Sequence, residues 1–214
     1  MRQMSPDRRA ALRKVLAAAL LAPLLLAASA CSKPAKLPRL EADAVVLAFG
    51  DSLTFGTGAN EAESYPARLA ALIGRRVVRE GIPGETSAAG LARLPAVLDE
   101  VRPRLLLLCE GGNDFLRRLP RQQTADNLRA MIRLAKDRGV EVLLIGTPEP
   151  GFTLTPPGFY AELAKEFGIP YEGEALAKIL KDGSLKSDQI HPNALGYRMM
   201  AERVFEVLRK AGAV

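Results

Sequence analysis

The sequence is poor in the residues from which many metal and cofactor sites are built. It has one histidine, His191, and only two cysteines, Cys31 and Cys109, among its 214 residues. Two cysteines cannot make the set of disulfides that holds many small secreted domains together. No group of His, Cys and carboxylate residues has the spacing of a metal site, so we expect neither a metal nor another cofactor. A reaction that needs an imidazole base has only His191 to use.

A basic surface is also missing from most of the chain, although the formal net charge is +6. Residues 1–40 contain eight of the 30 Lys and Arg residues and one of the 24 acidic residues. The other 174 residues therefore contain 22 basic and 23 acidic side chains and are nearly neutral. Binding to nucleic acid needs Lys and Arg clustered on the folded domain, so this balance speaks against a nucleic-acid partner.

The N-terminus has the pattern of an export signal. Five basic residues are followed by the uncharged run VLAAALLAPLLLAASA at residues 15–30. This run is shorter than the roughly 20 residues of a membrane-spanning helix and is typical of a signal peptide. The stretch LLLAASAC resembles a bacterial lipoprotein signal, which implies lipidation of Cys31 as the first mature residue. An ordinary signal peptide cut near Ala30 is the alternative.

These features predict three segments. Residues 1–30 form the signal peptide, residues 31–43 form the lipidated cysteine and a tether, and residues 44–214 form one domain. We expect an exported lipoprotein, on a membrane that faces the periplasm. Without lipidation, the protein would be soluble in the periplasm or secreted.

Within the domain, apolar runs alternate with segments of helical periodicity. The runs predict strands at residues 44–50, 76–81, 104–112, 140–148 and 169–173. Helices are predicted at residues 62–74, 87–101, 124–139, 157–168 and 193–212. Ser87 and Thr124 are the expected caps of two of them, and Pro95 predicts a kink or a shorter helix. The alternation indicates an α/β fold with a parallel sheet covered by helices.

Polar or glycine-rich turns follow these strands. They are Gly50-Asp51-Ser52, GIPGETS at residues 81–87, EGGND at 110–114, and SDQIHPN at 187–193 near the C-terminus. The carboxyl ends of parallel strands share one edge of the sheet, and ligands bind there. We therefore expect the four turns to meet at that edge.

The turns contain the residues of a nucleophilic ester cleavage. Ser52 is the candidate nucleophile and His191 its base, while Asp188, three residues earlier, is placed to orient the imidazole. Glycine N–H groups and an Asn amide are common donors to an oxyanion, which makes Gly84 and Asn113 candidates. Taken singly, Gly84 and Asn113 are better explained as turn formers, and most histidines at this spacing from an aspartate cap helices or face solvent.

Taken together and in order, GDSL, GxxGxTS, GGND and DxxHPN resemble the GDSL family of serine esterases and lipases. Residues 84–120 are similar to its bacterial thioesterase, lysophospholipase and arylesterase subfamily. The resemblance implies a flavodoxin-like three-layer α/β/α sandwich with about five parallel strands. It implies a catalytic triad of Ser52, His191 and Asp188, and an oxyanion hole formed by the N–H groups of Ser52 and Gly84 and the Asn113 amide. Asp51 and Asp114 would then be structural.

The resemblance implies ester, thioester or lysophospholipid substrates, cleaved by a monomer that a lipid anchors to the membrane. Candidate residues for an acyl groove are Phe115, Leu116, Phe152, Leu154, Phe159 and Tyr160. Two alternatives stay open at this point. One is a carbohydrate O-deacetylase of the same fold, and the other is a lipoprotein that binds lipid or glycan without catalysis.

Overall fold

A computed structural model describes residues 35–151 and 154–214 of the chain. The predicted signal peptide, Cys31 and Phe152 lie outside these residues. The described strands are β1 (Val45–Gly50), β2 (Arg76–Gly81), β3 (Leu105–Cys109), β4 (Glu141–Ile145) and β5 (Tyr171–Glu172). The α-helices are α1 (Ser52–Phe55), α2 (Tyr65–Ile73), α3 (Ser87–Val101), α4 (Gly112–Leu116), α5 (Arg121–Asp137), α6 (Phe159–Phe167), α7 (Ala175–Lys181) and α8 (Ala194–Ala211).

The five strands form one sheet in the order β2-β1-β3-β4-β5. All neighbouring pairs are parallel. The register places Gly50, the last residue of β1, opposite Gly81 of β2 and Cys109 of β3. The turns that follow these three strands therefore lie side by side at the carboxyl edge, and the predicted parallel α/β fold is confirmed.

Alternate residues of the central strands enter two separate cores, one on each face of the sheet. Val46, Ala48, Leu105 and Leu107 contact α2, α7 and α8 on one face. Leu47, Phe49, Leu106 and Leu108 contact α3, α5 and α6 on the other. Successive side chains of a strand point to opposite faces, so a continuous apolar run is what a strand covered on both sides requires. The result is the predicted three-layer sandwich.

Helix α3 has its predicted bounds, Ser87–Val101, but its N-cap differs from the prediction. It runs unbroken through Pro95, because Leu94 before the proline and Val97 and Leu98 after it are buried in the core and hold both halves in place. Thr86 occupies the N-cap position, and Ser87 is instead the first helical residue. The Ser87 hydroxyl donates a hydrogen bond to Asp114 at 2.6 Å, which removes it from capping.

Helix α5 begins earlier than predicted, at Arg121 rather than at Thr124. Thr124 is buried within the first turns and donates a hydrogen bond to Asp114. The short helices α1, α4 and α7 were not predicted, and β5 has only two residues. Segments of four to seven residues are too short for helical periodicity to show in the sequence.

The start of the described chain is packed onto the domain. In the segment predicted as a tether, Leu37 and Leu40 are buried in the same core as α8. The Leu37 N–H donates to the Ala211 carbonyl at 3.0 Å, and the Leu40 N–H donates to the Ala213 carbonyl at 2.8 Å. Folded structure thus begins before residue 44, the predicted boundary. None of the helices in the described part has the length and apolar character needed to span a bilayer.

Candidate active site

The turn after β1 presents Ser52 at the start of a helix. A side chain at Gly50 would place its Cβ 2.1 Å from the Cys109 carbonyl oxygen, so only glycine fits where β1 ends. Asp51 is the N-cap of α1, and its carboxylate accepts the Leu53 N–H at 2.9 Å. Ser52 is the first helical residue, a position whose N–H has no partner within the helix and is free to donate to a ligand.

The loop before α8 carries His191 to the same edge. Asn193 caps α8 by accepting the N–H groups of Leu195 and Gly196, and its amide donates to the Ser184 carbonyl. The Ser187 N–H donates to the His191 carbonyl at 2.9 Å. These bonds fix both ends of the loop, so the backbone of His191 is held in place by the N-cap of the long helix α8.

Ser52, His191 and Asp188 form one chain of hydrogen bonds. Nε2 of His191 lies 2.9 Å from the Ser52 Oγ, across 139 residues of sequence. Nδ1 lies 2.7 Å from Oδ2 of Asp188, whose Oδ1 accepts the N–H groups of Ile190 and His191. The geometry is that of a nucleophile, a base and the group that orients the base.

Asp188 is arranged to stay ionised. Its partial burial acts to raise its pKa, but the hydrogen bond with the His191 ring and the two backbone N–H bonds outweigh this and lower it. An ionised carboxylate only accepts hydrogen bonds, so Nδ1 must carry the proton. Nε2 is then the acceptor for the Ser52 hydroxyl, which is the tautomer that a general base needs.

Asn113 lies beside Ser52, but its amide is already engaged. Nδ2 donates to Oδ2 of Asp51 at 3.1 Å and to the Glu85 carbonyl at 2.9 Å. Asn113 and Ser52 line the same pocket. The amide is therefore correctly located to meet an oxyanion, which would have to replace one of these two acceptors.

Gly84 is in the neighbouring turn and does not line that pocket. Its φ of 80° lies in the left-handed region, which favours glycine. Arg117 donates a hydrogen bond to its carbonyl at 2.8 Å, which helps to fix the turn. Its part in an oxyanion hole stays a prediction.

Arg93 fixes the turn that contains Gly84. Its guanidinium makes two hydrogen bonds to the Glu85 carboxylate, at 3.0 and 2.7 Å, and a third to Glu80 at 3.1 Å. The same group lies over the ring of Phe49, 4.1 Å from its centroid. Arg93 thus fixes the Glu85 side chain, and the Glu85 carbonyl accepts a hydrogen bond from the Asn113 amide. The sequence offered only one signal for Arg93, its place in the helix that follows this turn, nearly two helical turns after Ser87.

A pocket of about 280 Å³ opens beside Ser52 and His191. Its apolar lining comes from five different parts of the chain and consists of Leu53, Leu116, Leu154, Leu180 and Ile190 together with Pro148 and Pro150. The lining suits an acyl chain that extends from a carbonyl group placed at Ser52.

Of the six candidates for an acyl groove, Leu116 and Leu154 line this pocket. Phe115 and Tyr160 do not, because they are buried in the core, where the Tyr160 hydroxyl donates to the Glu110 carbonyl at 2.6 Å. Phe159 stacks on Tyr160 and packs against that core as well. Phe152 lies outside the described residues. Leu180 and Ile190 were missed, since a helix and a loop distant in sequence bring them to the pocket.

Four carboxyl groups are buried next to the site, those of Asp51, Glu85, Glu110 and Asp114. Asp114 accepts both the N–H and the hydroxyl of Ser87, which joins α4 to α3. No three His, Cys, Asp or Glu side chains in residues 35–151 and 154–214 are arranged to hold a metal ion.

Glu110, which the sequence did not single out, is the most completely buried of these groups. It ends the buried run of β3, and among the described residues its Oε1 has no hydrogen-bond partner. Burial raises the pKa of Glu110 well above its usual value, and the charges of Asp51 and Glu85 raise it further. Burial likewise raises the pKa of Asp51 to about 6, against the opposing effect of the Leu53 N–H.

Replacing Glu110 with Gln should stabilise the fold more as the pH rises. The folded pKa of Glu110 lies above the unfolded value of about 4.3, so the folded chain keeps a proton that the unfolded chain releases. The wild type therefore loses stability above about pH 4.3, by up to about 1.4 kcal/mol per pH unit until the folded pKa is reached. Glu110→Gln cannot ionise and avoids this loss, which urea unfolding between about pH 4 and pH 8 will measure.

The matched control is Glu162→Gln, which removes a carboxylate from the exposed face of α6. We expect its difference from the wild type to stay small across that range, since water solvates both forms. A Glu110→Gln difference that is independent of pH would mean that Glu110 is ionised in the folded protein.

Comparison with known proteins agrees with this geometry. The family described as GDSL-like lipase/acylhydrolase matches residues 48–199. "Esterase TesA" of Pseudomonas aeruginosa is 30% identical over 196 residues, which cover 85% of this chain and 96% of that protein. "Thioesterase 1/protease 1/lysophospholipase L1" of Escherichia coli is 36% identical over 163 residues, which cover 72% of this chain and 78% of that protein.

Solved structures give the same result. The crystal structure of TesA superposes with a TM-score of 0.69 at 29% identity, covering 78% of this chain and 99% of TesA. AlinE4, described as an SGNH-hydrolase family esterase, gives a TM-score of 0.63 at 31% identity, covering 80% of this chain and 98% of AlinE4. The sequence match extends over most of the described domain and includes every turn that meets at the carboxyl edge of the sheet. This chain belongs to the GDSL-like lipase/acylhydrolase family.

Proposed function

We propose that this chain cleaves carboxylic ester and thioester bonds of acyl substrates, with Ser52 as nucleophile, His191 as base and Asp188 as the group that orients His191. The observation that carries the proposal is the 2.9 Å contact between Nε2 of His191 and the Ser52 Oγ. The relatives named esterase, thioesterase and lysophospholipase support the same bond types.

The chemistry proceeds in two halves. His191 takes the Ser52 proton as Oγ attacks the acyl carbonyl, and the carbonyl oxygen becomes an oxyanion. The imidazolium, stabilised by Asp188, then gives the proton to the leaving alcohol or thiol, and an acyl-enzyme remains. Water repeats the sequence, with His191 as its base, and releases the acid and the free serine.

The oxyanion needs donors that are in place before the reaction begins. The Ser52 N–H is free at the start of α1, and the Asn113 amide lies in the same pocket. As the oxyanion forms, we expect Asn113 to exchange its 3.1 Å bond to Asp51 for a bond to the oxygen, since this is the longer of its two bonds. Gly84 supplies the third N–H in this proposal.

The pocket favours an acyl group longer than acetyl. Five Leu and Ile side chains line it, and these would have no partner in an acetylated sugar. A hydrocarbon chain gains about 0.8 kcal/mol for each CH₂ group that it buries. This favours the acyl hydrolase over the carbohydrate O-deacetylase, and the contact between Ser52 and His191 favours catalysis over binding alone.

Ser52→Ala and His191→Ala should each lower kcat for p-nitrophenyl butyrate by at least about 10³-fold, because Ser52 is the nucleophile and His191 is the base that takes its proton. A fluorophosphonate probe should label the wild type at Ser52 and leave Ser52→Ala unlabelled. Ser184→Ala, an exposed serine in the loop before α8, is the control and should keep both properties. Hydrolysis that survives both Ser52→Ala and His191→Ala would remove the proposed chemistry.

Asn113→Ala should lower kcat by about 10²–10³-fold with a smaller change in KM, because the lost donor acts mainly on the oxyanion of the transition state. Steady-state kinetics with the same ester separate the two constants. The comparison variant is Asn60→Ala, which alters an exposed amide that hydrogen-bonds Glu63. A rise in KM at unchanged kcat would assign Asn113 to substrate binding instead.

We also propose that Cys31 is lipidated and holds the chain on a membrane that faces the periplasm. The support is the sequence alone, a basic N-terminus and an apolar run that ends in small residues before Cys31. In a bacterial host, Cys31→Ser should move the protein from the membrane fraction to the soluble fraction. Cys109→Ala, which changes the other cysteine, should leave it in the membrane fraction. Equal distribution of both variants would count against lipidation.

A further inference from the structure

The chain enters the domain at the end opposite to the pocket. Ser52 follows the last residue of β1, at the carboxyl edge of the sheet. Leu37 and Leu40, before the start of β1, are fixed to the residues that end and follow α8. The Lys36 ammonium adds a hydrogen bond to the Lys210 carbonyl at 3.1 Å. The entry point is thus a built contact rather than a loose segment.

Helix α8 runs from the site to this entry point, so its length gives the distance between them. It begins three residues after His191 and ends at Ala211, whose carbonyl accepts the Leu37 N–H. Its 18 residues, at a rise of 1.5 Å each, span about 27 Å. The imidazole and the entry point therefore lie about 27 Å apart along this helix.

The covalent chain between Cys31 and Leu37 is shorter than this distance. Six residue steps, fully extended, reach at most about 22 Å. If the carboxyl edge of the sheet, where Ser52 lies, were pressed against the bilayer that holds the lipid, Leu37 would stand about 27 Å above that bilayer. The tether would also have to pass around the domain rather than through it, which shortens its useful reach further.

We propose that the anchor at Cys31 holds the pocket away from the membrane that carries it, so that the enzyme takes acyl esters and thioesters from the aqueous phase and not from its own leaflet. This inference rests on the proposed function and on the proposed lipidation. It specifies how the substrate arrives: one amphiphilic molecule at a time, with its acyl chain meeting the pocket from water.

The surroundings of the pocket agree with such a substrate. Leu116 and Ile190 line it and are 45% and 37% exposed, so their side chains face water at the rim. They offer a first contact to the acyl chain of a dissolved molecule, before Leu53 and Leu180 bury it deeper. A volume of about 280 Å³ suits a single chain rather than a diacyl lipid lifted from a bilayer.

The test compares tethers of two lengths on vesicles. The full lipidated protein is placed in phosphatidylcholine vesicles, and a long-chain methylumbelliferyl ester is put either into the same vesicles or into a second population without enzyme. One variant carries about 20 additional Gly and Ser residues between Lys33 and Pro34, which adds about 25 Å of average reach. The control variant carries the same insert after Val214. Soluble p-nitrophenyl butyrate reports the basal activity of each protein.

With the longer tether, we expect hydrolysis of the ester in the same vesicles to rise by about tenfold or more, because the pocket can now reach its own bilayer and the local substrate concentration becomes available to it. Hydrolysis of soluble p-nitrophenyl butyrate should change less than about twofold, since the site itself is untouched. The control insert should reproduce the wild type in all assays.

Each other outcome identifies what failed. Wild-type protein that cleaves the ester of its own vesicles as fast as the long-tether variant would overturn the proposed orientation. Lack of activity on soluble p-nitrophenyl butyrate in every protein would instead refute the proposed function. If Cys31→Ser remained on the vesicles as firmly as the wild type, the anchor would not be at Cys31, and the orientation would fall with it.

Discussion

The contact between His191 and Ser52 is the constraint on which the rest of the site depends. A hydrogen bond of 2.9 Å joins two residues 139 positions apart, so both must be held rigidly from their own sides. Gly50 and the Asp51 cap fix Ser52, while the Asn193 cap fixes the loop of His191. A side chain at Gly196 would lie 2.1 Å from the Leu185 carbonyl, so α8 can approach this loop only with glycine there. The position of the imidazole thus depends on the backbone at the N-terminus of α8.

The site also requires that several carboxyl groups be buried beneath it, which is unfavourable for their ionised forms. Asp51, Glu85, Glu110 and Asp114 are buried close to one another, and two of them have raised pKa values. Asp51 and Glu85 offer the two acceptors that hold the Asn113 amide, and Asp114 joins α4, which carries Asn113, to Ser87 of α3. Active sites commonly keep such destabilising groups where they position the reacting atoms. The polar layer under the pocket is therefore best understood as the support of the oxyanion donors.

The position of the pocket in the fold also bears on where substrate comes from. In a parallel sheet the carboxyl ends of the strands form the site, while the chain enters β1 at the opposite edge. Here the entry segment is bound to the end of α8 through Leu37 and Leu40, and Cys31 lies only six residues before Leu37. An anchor at that cysteine would keep the pocket away from the bilayer, because the chain between Cys31 and Leu37 is shorter than α8. A lysophospholipid would then meet the enzyme as a dissolved monomer, although the enzyme itself stays on the membrane.

The sequence by itself determined the parallel α/β fold, the central strands and the turns that carry Ser52, Asn113, Asp188 and His191. Apolar runs, glycines and prolines act locally, and parallel strands necessarily bring such turns to one edge. Only the tertiary structure decided that Phe115 and Tyr160 belong to the core, that Leu180 and Ile190 line the pocket, and that both donors of the Asn113 amide are occupied. These facts depend on which distant side chains pack against each other, and no local pattern in the sequence encodes that packing.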